Sequence, residues 1–217
     1  MNKAKPANQA KVIIFDFDGT IADSFEVFVE SFEAAVGRKQ HLSAKKINDF
    51  RNSSLKEVIQ KLKIKKWQIP RLLIRGKREI TKRMDRVKAF ESMPEVLVEL
   101  SKNHTLYVLS TNSKSNIEKF LDSYKLSGRI TKIYASIGLQ GKARSLGSLR
   151  KSENLKASDC IYIGDETRDV EAAKKAGVKC IAVGWGYNNP KILRSFKPSA
   201  VVSKPQDLIK TIESIET

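Results

Sequence analysis

Hydrophobic positions change their period twice along the chain. Residues 12–15, Val-Ile-Ile-Phe, form a continuous apolar run, the pattern of a parallel strand covered on both faces. From residue 24 the period becomes helical, with Phe25, Phe28, Phe32, Ala35 and Val36 on one face and Gly37 placed to end it. Ser54 and Glu57 have capping-box spacing ahead of Leu55, Val58, Ile59 and Leu62. Pro70 fits the first turn of a further helix carrying Ile80, Met84 and Val87. Between residues 24 and 90 the patterns are helical, with no strand among them. Beyond residue 90 helices and strands alternate. A helix opens at Pro94, a strand covers 106–109, and strand-like runs recur at 130–137, 160–163, 180–183 and 200–202. Helices are expected over 169–175, closed by Gly177, and over 205–215. Such alternation predicts an α/β fold on a parallel sheet. The expected organisation is a core made of residues 1–23 and 91–217, interrupted by an all-helical insert over residues 24–90.

Composition narrows the classes. The chain has 217 residues, 41% apolar and 30% charged, enough for one core with a well-solvated surface. No apolar run approaches the ~18–20 residues of a bilayer span, and the polar start MNKAKPANQA is unlike a secretory signal. A cytoplasmic protein is expected. Cys160 and Cys180 lie in apolar runs and read as buried free thiols. His41 and His104 are isolated, so a Ser-His-Asp arrangement or a His-rich metal site has little to work with. The net charge of +17 is localised: residues 38–88 hold eighteen Lys or Arg against Asp49, Glu57, Glu79 and Asp85, a local excess of +14. A solvated helical face is the favoured explanation of this excess. A nucleic-acid interface is the alternative, and steering of anionic substrates into a cleft stands between them.

In open parallel sheets functional groups collect at the carboxyl ends of strands. The first strand delivers Asp16-Phe17-Asp18-Gly19-Thr20, and the second delivers Thr111 and Asn112 after Ser110. Lys142 follows the turn Gly138-Leu139-Gln140-Gly141, and the fourth strand delivers Gly164-Asp165-Glu166-Thr167-Arg168-Asp169. Some of these have plain structural alternatives: Thr111 as a helix N-cap, Lys142 as a surface lysine, Asp165 and Asp169 as caps of the next helix. Trp185-Gly186-Tyr187 fits either an active-site edge or core closure.

An apolar strand followed by DxDGT, then a hydroxyl, a lysine and GDxxxD, resembles the haloacid dehalogenase superfamily, in its phosphoglycolate phosphatase-like branch. The resemblance covers nearly the whole chain and implies a Rossmann-like core with a helical cap. It implies a phosphatase of small phosphorylated metabolites, with Asp16 as covalent nucleophile and Asp18 as general acid and base. Thr111, Asn112, Lys142 and Gly19 would hold the phosphoryl group, with Thr111 preferred over Ser110 because the family hydroxyl directly precedes the Asn. Mg²⁺ would be held by Asp16, the backbone carbonyl of Asp18, and Asp165, while Asp169 would orient Lys142 or a metal-bound water and Thr20 would support. Elementary electrostatics agrees, since three converging carboxylates repel unless a cation neutralises them, and an all-oxygen set suits Mg²⁺. Asp18 argues against a dehalogenase, whose halide leaves unprotonated, and the lack of membrane segments argues against an ATP-driven pump. A phosphomutase of the same superfamily stays open as an alternative. Oligomeric state is not legible.

Overall fold

The computed structural model describes residues 10–37, 42–135 and 141–216. Strand β1 (Val12–Phe15) is buried along its whole length. The chain then turns through Asp18 and Gly19 into the two-residue strand β2 (Ala22–Asp23) and helices α1 (Phe25–Val36), α2 (Ala44–Arg51), α3 (Leu55–Lys61) and α4 (Ile69–Thr81). Gly37 ends α1 with φ 72°, a left-handed conformation that costs glycine little. The Ser54–Glu57 capping box of α3 is formed in both directions. Strand β3 (Lys88–Ala89) returns antiparallel to β2 and closes the helical stretch with a short hinge pair.

Two expectations are corrected here. A strand does occur before residue 90, and α4 stops at Thr81 instead of continuing through Met84 and Val87. Residues 84–86 form a single 3₁₀ turn, and Val87 is extended. Side chains help satisfy the last turn of α4: the Thr81 hydroxyl donates to the Lys77 carbonyl, and the guanidinium of Arg83, two residues beyond the helix, to that of Glu79.

Beyond β3 helix and strand alternate: α5 (Met93–Leu100), β4 (Thr105–Leu109), α6 (Lys114–Ser123), β5 (Lys132–Tyr134), α7 (Lys142–Ser152), β6 (Cys160–Gly164) and α8 (Thr167–Ala176). Strand β7 (Lys179–Val183), α9 (Pro190–Ser195), β8 (Ala200–Val202) and α10 (Asp207–Glu216) complete the chain. The six long-range strands make one parallel sheet in the order β5-β4-β1-β6-β7-β8. Strand β5 is shorter than the 130–137 run, whose last two residues lie outside those described.

Alternation along β1 supplies both faces of the core. Ile13 and Phe15 join one apolar cluster with Val108, Ile163 and Leu97, while Ile14 joins another with Tyr162, Leu146 and Val170. Each such side chain contributes roughly 1.5–3 kcal/mol on burial. Cys160 and Cys180 sit in the second cluster as free buried thiols, and burial pushes the Cys160 thiol up to about 11. The register places Phe15 opposite both Val108 and Ile163. Strands β1, β4 and β6 therefore end level, and the residues that follow them meet at one sheet edge.

Candidate active site

Asp16 follows β1 directly. Its backbone N–H donates to the Ile163 carbonyl at 2.8 Å, so the ladder of β6 fixes its position. The residue is 2% exposed; Oδ1 accepts the Phe17 N–H at 2.8 Å and Oδ2 accepts Lys142 Nζ at 2.6 Å. Lys142, the first residue of α7, is equally buried and also pairs with Asp169 Oδ1. Asp169 Oδ2 accepts the Glu166 N–H at 3.0 Å, which caps α8. The capping role and the contact with Lys142 thus coexist in one side chain. Lys142 is no surface lysine: it is clamped between two carboxylates, one directly after β1 and one in the first turn of α8.

Asp165 is fully buried at the end of β6, where the Thr20 hydroxyl donates to Oδ1 at 2.8 Å and the Tyr187 N–H to Oδ2 at 2.7 Å. Among the described residues it receives dipoles and no cation. Gly19, with φ 77°, is packed against it: a Cβ there would stand 2.2 Å from Asp165 Oδ2 and 2.6 Å from the Tyr187 ring. Gly186 is confined from the other side, where a Cβ would lie 2.3 Å from both Asp165 Cβ and the Gly19 carbonyl. Two glycines therefore allow both backbones to close around one carboxylate.

Asp18 is half-buried, closer to solvent than Asp16. Asn112 Nδ2 donates to its two oxygens at 3.1 and 3.0 Å, while Asn112 Oδ1 accepts from Ser113 N–H and Asn116 Nδ2. Thr111 is half-buried at the same edge and does not cap α6; that duty falls to Ser113, which accepts the Asn116 N–H. Ser110 is buried, its hydroxyl oxygen accepting the Asn112 N–H at 3.0 Å. Of the turn before Lys142, only Gly141 lies among the described residues.

Burial dominates the electrostatics. It pushes the Asp16 carboxyl up to about 7, with Asp169 adding to the rise and Lys142 opposing it. Asp165 is held well above the usual carboxylate range by burial first, then by Glu166, Asp16 and Asp169. Burial also raises Asp18, against hydrogen bonds from Ser24 and Asn112. For Lys142 burial alone would lower the ammonium, but Asp16 and Asp169 outweigh it and hold the group above its ordinary value.

Oxygens of Asp16, Asp165 and Asp169 come within 4.8 Å of one another, all buried. Such an oxygen set fits a hard divalent cation of the Mg²⁺ kind. Asp169 already spends both oxygens on Lys142, Tyr162 and the α8 N-terminus. The uncompensated charge therefore lies on Asp165 and the Asp16 edge beside it.

Other contacts escaped the sequence patterns. Tyr187 OH is 2.9 Å from Ser24 Oγ, and its ring meets Phe25 and Phe28 of α1 at centroid distances of 5.3 and 5.1 Å. Arg51, ending α2, donates to the Gly186 carbonyl at 2.7 Å and lies 4.7 Å over the Phe25 ring. Asn188 Nδ2 donates to the Arg51 and Ser53 carbonyls, while its Oδ1 accepts the Thr167 N–H. The loop after β7 thereby ties α1 and α2 to the acid cluster. Trp185 joins it through Nε1, which donates to the Thr20 carbonyl at 3.1 Å.

A model of haloacid dehalogenase-like hydrolases matches residues 13–183, which spans the acid cluster, Asn112 and Lys142 and stops short of the loop at 185–188. The chain belongs to that family. Among haloacid dehalogenase-like proteins it is similar to a phosphoglycolate phosphatase of Synechococcus elongatus, 31% identical over 94% of this chain and 98% of the relative. A 5′-nucleotidase of Pseudomonas aeruginosa is 26% identical over 93% and 95% of the two chains. A crystal structure described as a predicted phosphatase from Clostridium acetobutylicum shares the haloacid dehalogenase-like fold. Its TM-score is 0.81 at 22% identity, covering 95% of this chain and 99% of that one. Among the described residues no helix is long and apolar enough to cross a membrane.

Proposed function

We propose that the chain is a cytoplasmic, Mg²⁺-dependent phosphatase that hydrolyses a small phosphomonoester through an aspartyl-phosphate on Asp16. The observation that carries this reading is Lys142 Nζ, buried at 2.6 Å from Asp16 Oδ2 and paired on its other side with Asp169. A buried cation held against a nucleophilic carboxylate suits an anionic group arriving beside both. Asp16, the Asp18 carbonyl and Asp165 would hold Mg²⁺, which when bound supplies countercharge to the acids and to the phosphoryl group.

The residues divide the work. An Asp16 oxygen attacks phosphorus, the ester P–O bond breaks, and the departing oxygen takes a proton from Asp18. Water then attacks the aspartyl-phosphate and gives its proton to Asp18, and the P–O bond to Asp16 breaks to free phosphate. Asp18 is suited to this shuttling because it is half-buried and held by Asn112, with no cation of the described residues at its oxygens. Lys142 and Thr111 hold the non-bridging oxygens, and Asn112 keeps Asp18 turned toward them. Asp169 keeps Lys142 in place, and Thr20 does the same for Asp165. Residues 24–90 act as a cap whose β2–β3 hinge and Arg51–Gly186 contact set its position over the acids.

Phosphoglycolate is the first substrate to try, on the strength of the 31% identical relative. The test is turnover of purified protein against a panel of phosphorylated metabolites and an aryl phosphate, with Mg²⁺ and with EDTA. Hydrolysis that stops with EDTA and is absent in Asp16→Asn is expected. Metal-independent turnover, or full activity in Asp16→Asn, would overturn the assignment.

A further inference from the structure

Helix α4 has two unlike faces. Ile69, Leu72, Leu73 and Ile80 are half-buried and face α1, whereas Arg71, Arg75, Lys77, Arg78 and Lys82 are exposed on the outer side. Arg71, Arg75, Arg78 and Lys82 recur every three or four residues over about 16 Å, with Lys77 next to Arg78 off that row. Trp67, in the turn leading into α4, is 71% exposed, and Ile74 is 66% exposed on the outer face. Lys65 and Lys66 stand beside Trp67 and are exposed as well. Among the described residues, Lys65, Lys66, Arg71, Arg75, Lys77 and Arg78 enter no ion pair, and Lys82 pairs only with Glu79.

Cations at i,i+4, such as Arg71 with Arg75 and Arg78 with Lys82, repel each other and weaken the helix that carries them. A large indole left in water gains nothing for the fold. A polyanion with flat apolar rings would relieve both, by neutralising the row of charges and covering the indole. We propose that the outer face of α4 and Trp67 bind single-stranded nucleic acid, with phosphates along the row of cations and an unpaired base stacked on the indole. Three of the five cations are arginines, whose planar fork suits phosphate oxygens. An anionic membrane fits less well. The apolar face of α4 is already packed against α1, and two isolated apolar side chains among cations offer little area to insert. A duplex would supply the phosphates but no free base for Trp67. The surface is separate from the acid cluster, so it stands or falls independently of the phosphatase reading.

The test is fluorescence anisotropy of the full-length protein with a labelled single-stranded oligonucleotide of roughly 20 residues, titrated at several salt concentrations. Five phosphate contacts predict a slope of log affinity on log salt near −3.5, or roughly 100-fold weaker binding between about 50 and 200 mM. Arg71→Glu/Arg75→Glu/Arg78→Glu should lower affinity by roughly 100-fold or more and flatten the slope by about 2. The matching triple Lys variant should keep most of the affinity. Trp67→Ala should lose roughly tenfold with the slope unchanged. Hydrolysis of a small aryl phosphate should be the same in all variants, and circular dichroism should show them folded. The proposal fails if the oligonucleotide does not bind at about 150 mM salt, or if binding ignores these substitutions. It also fails if a duplex of equal length, or phosphatidylserine vesicles, bind more tightly than the single strand.

Discussion

Replacing Lys142 by Met removes one charge and keeps most of the buried stem. What remains is two carboxylates, Asp16 at 2% and Asp169 at 0% exposure, that have lost the cation between them. Removing one partner of a buried ion pair costs about 3–5 kcal/mol, chiefly because the other charge stays buried and unpaired. For a chain of this length each kcal/mol lowers the melting temperature by about 2–4 °C, so a fall of roughly 6–20 °C is expected. The pH dependence identifies the cause. Lys142 is held above its ordinary value, so its stabilisation is present below the unfolded value and lost only as pH rises through the folded one. About pH 8 lies inside that window. Asp16 is already raised to about 7, and losing Lys142 raises it further. Below neutrality it can then take up a proton and shed part of the penalty. Urea unfolding of the metal-free protein should therefore show the full loss near pH 8 and a smaller one near pH 5.5. Adding Asp169→Asn to Lys142→Met should recover part of it. A loss under about 1 kcal/mol at the higher pH, or one that does not shrink with acidity, would refute the reasoning.

Five other outcomes are expected. Asp18→Asn should slow hydrolysis of an alkyl phosphate by roughly 10²–10⁴-fold but affect p-nitrophenyl phosphate much less, since that leaving group needs no proton; equal losses would remove Asp18 from the acid role. Gly186→Ala forces a Cβ to 2.3 Å from Asp165, and a displacement near 1 Å should cost about 100-fold in turnover with the fold retained by circular dichroism. The raised carboxyls of Asp16 and Asp165 favour the protonated folded state, so the metal-free protein should gain stability as pH falls through about 7 toward the ordinary carboxylate range. Mg²⁺ binding near neutrality should release protons, measurable by calorimetry in buffers of different ionisation enthalpy, and should weaken as pH falls. Arg51→Ala should loosen α2 from the loop carrying Gly186, seen as faster hydrogen exchange over residues 44–53 and a higher KM.

Features carried by a repeating local pattern were readable from sequence. The doubly covered β1, the α1 face ending at Gly37 and the Ser54–Glu57 box each express such a pattern, and the structure contains all three. The gathering of Asp16, Asp18, Asn112, Lys142 and Asp165 followed from one rule about strand ends. Other features had no period to reveal them. Strands β2 and β3 are two residues each, too short to alternate, and are defined by pairing across more than sixty intervening positions. Arg51 was one basic residue among eighteen, and only the folded loop at Gly186 sets it apart. Tyr187 and Gly186 were noticed as a motif, but their packing around Asp165 is a matter of approach distances that composition does not encode. Asp169 had two readings, a cap and a partner for Lys142, and the structure contains both.

The central claim is that a phosphoryl group passes through the carboxylate of Asp16. It is tested most directly by acid-quenching the protein within milliseconds of mixing with substrate and Mg²⁺, then mapping peptides by mass spectrometry. A single phosphoryl group on the peptide spanning Asp16, labile to hydroxylamine and missing in Asp16→Asn, is the predicted result. Substrate turnover with no phosphoryl group on that peptide, or with the label on Asp18 or Asp165, would contradict it.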